Sequence, residues 1–97
     1  VTSRILRWSI GITDLQYLEV PAPGRILSVA QSREVPDHGI DLWTVARTGA
    51  QDITRTIYVV GTGNPMPDPG PMGMDFIGTV VTPSGLIWHV FADRHAE

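Results

Sequence analysis

Apolar residues in this chain come in short runs, many alternating with a period of two, and clusters of Gly, Pro, Asp, Ser and Thr separate them. The pattern predicts seven strands, over residues 4–10, 16–20, 25–30, 40–47, 54–60, 76–82 and 86–92. Between them lie the turn signals Gly11-Ile12-Thr13-Asp14, Pro21-Ala22-Pro23-Gly24, Thr48-Gly49-Ala50-Gln51-Asp52 and Pro83-Ser84-Gly85, and a polar loop over 31–39 that contains Pro36. One helical alternative competes: a single turn over 13–19, capped by Thr13 or Asp14. Short strands broken by regular turns indicate an all-β fold, a small antiparallel β-sandwich or barrel of about seven short strands forming one domain over 1–97. No helix-sized crossover is available, so neighbouring strands should be antiparallel. Residues 93–97 should fray.

Strand parity adds a second expectation. Along 86–91 one face carries Leu86, Trp88 and Val90 and the other Ile87, His89 and Phe91; along 76–81 the faces carry Ile77 with Val81 and Phe76 with Val80. A sheet buried on one side should alternate apolar with polar. Apolar residues on both faces exceed what a chain this small easily buries alone. Self-association into a homo-oligomer covers the second face, although the two sheets of one sandwich offer the same cover.

The longest gap between strands is the stiff Pro- and Gly-rich stretch that follows Tyr58-Val59-Val60 and ends at Phe76. Long loops between strands are where sites collect. Here Gly61-Thr62-Gly63-Asn64-Pro65 brings flexible backbone amides together with hydrogen-bonding side chains. The same residues serve equally as a tight strand exit, because no helix follows them as a dinucleotide fingerprint requires. Met66, Met72 and Met74 in this loop form either an adaptable contact surface or plugs against a sheet edge.

Composition narrows the classes. The chain has 97 residues, 42% of them hydrophobic and 18% charged, with no cysteine and a formal charge of −3. Disulfides and thiolate metal sites are excluded, and no apolar run approaches the roughly 18 residues that span a bilayer. The absence of a basic run argues against long nucleic acid as a partner. All seven basic residues are arginine, which points to a GC-rich genome such as that of an actinobacterium or its phage. The initial Val suits a GTG start codon, and its flank lacks a secretory layout, so a cytoplasmic location is expected.

Candidate chemistry is sparse. Arg25, Arg47 and Arg55 suit a small anion. His38, His89 and His95 show no metal-ligand spacing, and His89 in an apolar strand suits a hydrogen-bonded structural role. A triad of Ser28, His89 and Asp41 can be written on paper, but such triples occur in any β-protein. Among the aromatics, Tyr58 stands opposite in parity to Ile57 and Val59 and is expected to face a site or an interface, whereas tryptophans in small sandwiches are more often core.

The order of several motifs carries a resemblance. R-W-S-I at 7–10, E-V-P-A-P-G-R-I-L-S-V at 19–29, L-W-T-V at 42–45, Y-V-V-G-T-G-N-P at 58–65, F-I-G-T at 76–79 and G-L-I-W-H-V-F at 85–91 together resemble a family of small proteins of tailed bacteriophages, described as conserved hypothetical proteins or a domain of unknown function. Members usually carry G-T-G-H-P where this chain has residues 61–65, so Asn64 replaces a histidine, keeping hydrogen bonding and losing titration. By analogy with oligomeric phage proteins that sequester nucleotide immune signals, the resemblance implies a non-catalytic accessory protein in the cytoplasm of the infected host. Its ligand, a cyclic nucleotide, would sit between subunits. Thr62, Gly63 and Asn64 would hold phosphate, Arg47 and Arg55 supply charge, and Tyr58 and Trp43 stack on a base. No catalytic residue, cofactor or metal is implied, and no membrane. The alternative is a structural or protein-interaction module, a minor virion component or host-factor binder, with a flat apolar patch and Met66, Met72 and Met74 exposed. An enzyme would require His89 as its base.

Overall fold

Ile53, Arg55, Ile57 and Val59 alternate with Thr54, Thr56 and Tyr58, and this period of two sets up a strand with one face for the interior and one for its far side. In the computed structural model, which describes residues 2–68 and 70–94, that strand is one of seven. They are β1 (Ser3–Gly11), β2 (Leu15–Pro21), β3 (Pro23–Gln31), β4 (Gly39–Arg47), β5 (Asp52–Gly61), β6 (Met74–Val81) and β7 (Ile87–Asp93). One sheet has the order β1-β4-β3 and the other β2-β5-β7-β6, and every bonded pair is antiparallel. The shortest extent of the molecule is 16 Å, which fits two sheets packed about 10 Å apart. The fold is an all-β sandwich of three strands on four.

The expected strands are all present, most of them a residue or two longer than the pattern gave. The helical alternative over 13–19 does not occur; Leu15–Pro21 pairs in full register with β5 instead. Leu86 lies in a turn rather than a strand, its carbonyl accepting the Thr82 N–H. The expectation of a frayed end fails at Asp93, which closes β7 and binds Arg55. The remainder of that expectation, residues 95–97, lies outside the described residues.

Between the sheets, Ile10, Ile40 and Leu42 of the three-stranded layer meet Ile57, Val59 and Val90 of the four-stranded one. Each such side chain contributes about 1.5–3 kcal/mol on burial. Trp8 packs on this core, and its indole N–H donates to Thr44 Oγ1 at 2.8 Å. Close approach of the layers depends on Gly78, where a Cβ would stand 2.9 Å from Val29 Cγ2. Gly24, at φ +67°, turns β3 away from the cis Ala22–Pro23 bond, and a Cβ there would meet Val20 and Ile53.

One connection departs from a simple meander. β5 and β6 both pair antiparallel with β7, so they run parallel to one another on either side of it. Residues 62–73 therefore carry the chain back along the sheet. The three-stranded layer fills the inner face, which leaves the outer side of β7 for the crossing. The segment starts beside Val60, where Pro65, Met66 and Pro67 line a small cleft with it. It ends in a 3₁₀ turn at Pro71–Gly73, where the Arg94 guanidinium donates to the Met72 carbonyl. We call this segment the strap.

A candidate docking face on the four-stranded sheet

The seven residues that the sequence assigns to a ligand are not brought together within one chain. Arg55 is in the interior, 3% exposed. Its Nε donates to Asp93 Oδ1 at 2.9 Å, its Nη2 to the Asp93 carbonyl at 2.7 Å and its Nη1 to the Gly24 carbonyl at 2.6 Å, so it ties the two sheets together. Arg47 closes β4 opposite Ser3, at the other end of the sandwich from Thr62, Gly63 and Asn64. A nine-residue strand at about 3.3 Å per residue puts those ends roughly 26 Å apart. Trp43 lies on the outer face of the three-stranded sheet, opposite Arg7 and Ser28 in register. Tyr58 lies on the outer face of the other sheet.

At the Thr62–Asn64 end, two shallow clefts flank Trp88. One of about 310 Å³ is lined by Gly61, Thr62, Asn64, Leu86 and Ile87, and one of about 490 Å³ by Ile12, Asp37, His38, Ser84 and Leu86. Neither has an arginine in its lining. The indole N–H of Trp88, which lines both, is buried without a hydrogen-bond partner. The Thr62 hydroxyl is engaged elsewhere, 2.8 Å from His89 Nε2, while Thr79 Oγ1 lies 3.1 Å from Nδ1 of the same ring. His89 is thus pinned flat between two hydroxyls, the structural role its apolar strand suggested.

The triad written from the sequence does not assemble. Ser28 and Asp41 belong to the outer face of the three-stranded sheet, and His89 to the outer face of the four-stranded one. Asp41 is fully buried under Arg7, whose Nη1 donates to its Oδ2 at 3.2 Å, and under the Arg33 backbone N–H. His95 lies outside the described residues. Among the described residues no group of three or more His, Cys, Asp or Glu is placed to hold a metal ion, and no helix is long and apolar enough to cross a membrane.

A cleft of about 520 Å³ opens between the edge strands β3 and β6. Arg25, Arg55, Asp75 and Phe76 are among the residues that line it. The sequence groups Arg25 with Arg55 as possible anion ligands. It gives no sign that Phe76 joins them, because that contact depends on which strands form the sheet edges.

The most extended feature is the outer face of the four-stranded sheet. Strand register aligns Leu15, Tyr58, Phe91 and Phe76 in one row across all four strands. The Phe76 and Phe91 ring centroids are 5.3 Å apart with the planes tilted by 60°, a favourable aromatic pairing. Tyr17 is 68% exposed beside this row and Phe76 58%, and beyond the polar Thr79–His89 pair a second exposed apolar pair, Val81 with Ile87, lies towards the loop end. On the strap, Met72 is 85% exposed and Met66 is exposed as well; Met74, expected to join them, is buried. Leu15 and Phe76 at the ends of the row are exposed, and Tyr58 and Phe91 at its centre are half-buried; exposed apolar clusters of this kind mark contact surfaces.

A family model for a domain of unknown function, DUF7352, matches residues 1–97. The chain belongs to this family. No curated protein and no solved structure matches it. The match runs the whole length of the chain and assigns no chemistry. Of those motifs, Y-V-V-G-T-G-N-P and G-L-I-W-H-V-F pair as β5 and β7, the two central strands of the docking face.

Proposed function

We propose that the chain is a phage-encoded accessory protein that works by docking rather than by catalysis, through the outer face of its four-stranded sheet. One observation carries this reading: the row Leu15–Tyr58–Phe91–Phe76, flanked by Tyr17 and by the exposed strap methionines. Apolar burial drives most protein association, and aromatic and methionine side chains are enriched where it occurs. The phage origin rests on the motif resemblance and the arginine-only composition. A photo-crosslinking residue placed at position 17 or 76, in the infected host, is expected to form a discrete protein adduct, whereas one at Gln51 in the β4–β5 turn forms none. Equal labelling from all three positions, or none from 17 and 76, would sink the docking reading.

A second reading, sequestration of a cyclic nucleotide, is favoured by the cleft between β3 and β6. Its volume suits a small ligand, and its lining brings Phe76 together with Arg25, with Asp75 beside them and Arg55 held to Asp93 and Gly24 at its base. Native mass spectrometry against a panel of cyclic di- and trinucleotides tests it. Retention of an intact nucleotide that Phe76→Ala weakens at least roughly tenfold, about 1.4 kcal/mol, supports this reading; a panel that leaves the protein unliganded removes it.

A further inference from the structure

The two layers of the sandwich differ in charge, counting each layer's inward and outward groups together with its loops. Among the described residues, the three-stranded layer and its loop carry Arg4, Arg7, Arg25, Arg33 and Arg47 against Glu34, Asp37 and Asp41, a formal +2. The four-stranded layer with its loops carries Asp14, Glu19, Asp52, Asp68, Asp75 and Asp93 against Arg55 and Arg94, a formal −4. Both faces also have an apolar middle. On the three-stranded side it is Ile5, 62% exposed, facing Val45 in register, with Trp43 next to them.

We propose that the partner of the docking face is the three-stranded face of a second copy, so that chains stack back to front. This rests on the docking reading and names its occupant. Charge decides between the two ways a second copy can bind. A symmetric pairing of four-stranded faces would bring two layers of formal −4 together, whereas stacking sets −4 against +2. Tyr17, Phe76 and Met72 would meet Ile5, Val45 and Trp43, with arginines around the rim. The smaller face limits the contact. Three strands of nine residues, at about 4.8 Å spacing and about 3.3 Å rise, cover roughly 400 Å² in projection. Two such surfaces fall at the low end for specific interfaces, so the association is weak and depends on concentration. A back-to-front contact does not close on itself at two copies and continues as a ring or an open stack.

Two double variants of exposed or rim residues test this by sedimentation velocity. Ile5→Glu with Arg47→Glu disables the three-stranded face, and Tyr17→Ser with Phe76→Ser disables the other. Stacking predicts that wild type associates at about 50 mM salt and weakens at least roughly tenfold by about 0.5 M. It predicts that each double variant alone is monomeric and that an equimolar mixture of the two gives a one-to-one pair, each variant supplying its intact face. If Ile5→Glu with Arg47→Glu still associates like wild type, the faces pair symmetrically and the stacking proposal is overturned, while the docking face stands. A wild type that stays monomeric throughout also overturns it; the adducts from positions 17 and 76 then report separately on docking.

Discussion

At the residue scale, Arg55, expected from its type to supply charge to a ligand, is instead interior, and Asp93 is its ionic partner. Removing one member of a buried pair leaves the other charge unpaired in low dielectric, a cost of about 3–5 kcal/mol when both are buried. The Asp93 side chain is 39% exposed, so solvent relieves part of this. Asp93→Ala is expected to destabilise the fold by about 2–3 kcal/mol and lower Tm by roughly 10–20 °C, read by calorimetry. Arg55→Met, which removes the charge along with its need for a partner, should cost less than Asp93→Ala. The reverse order would show that the guanidinium contributes net stability. Gly78→Val should cost about 1–3 kcal/mol by pressing into Val29.

Strand positions, the next scale up, were readable because Pro21-Ala22-Pro23-Gly24, Thr48 to Asp52 and Pro83-Ser84-Gly85 interrupt the chain locally, and local chemistry is visible in sequence. Strand partners were not. Asp93 reads as a tail residue until β7 is known to lie beside β5, 38 positions away from Arg55. Tyr58 facing outwards follows from parity alone, whereas its row with Leu15, Phe91 and Phe76 needs the register. The same gap explains the scattered ligand set: Arg47, Thr62 and Trp43 each suit a ligand by type, but the sheet order separates them. The strap is the element to probe next. Replacing Met72, 85% exposed, with Ser removes exposed apolar surface and no core packing, so stability should change by less than about 0.5 kcal/mol while the position 17 and 76 adducts weaken.

Considered whole, the molecule is a slab whose three-stranded layer carries a net positive and whose four-stranded layer a larger net negative formal charge. That arrangement makes self-association sensitive to ionic strength, because the Debye length is only about 8 Å at physiological salt. It also separates solubility from fold. Changing Ile5 to Glu alters the sandwich little, since that side chain already faces water, but it should raise the concentration at which the protein stays monomeric. Light scattering across a dilution series reads this directly; an unchanged association curve would place the contact elsewhere.

The parallel relation of β5 and β6 has a consequence for how the chain is made. The strand between them, β7, leaves the ribosome after all the others, so the four-stranded sheet lacks its second interior member until synthesis has passed Asp93. Until then β5 exposes a bare edge with Ile57 and Val59, and β6 has no neighbour in its sheet. Folding of this layer is therefore deferred until β7 has been made, and a nascent chain stalled before β7 presents an unfilled sheet slot to any passing strand.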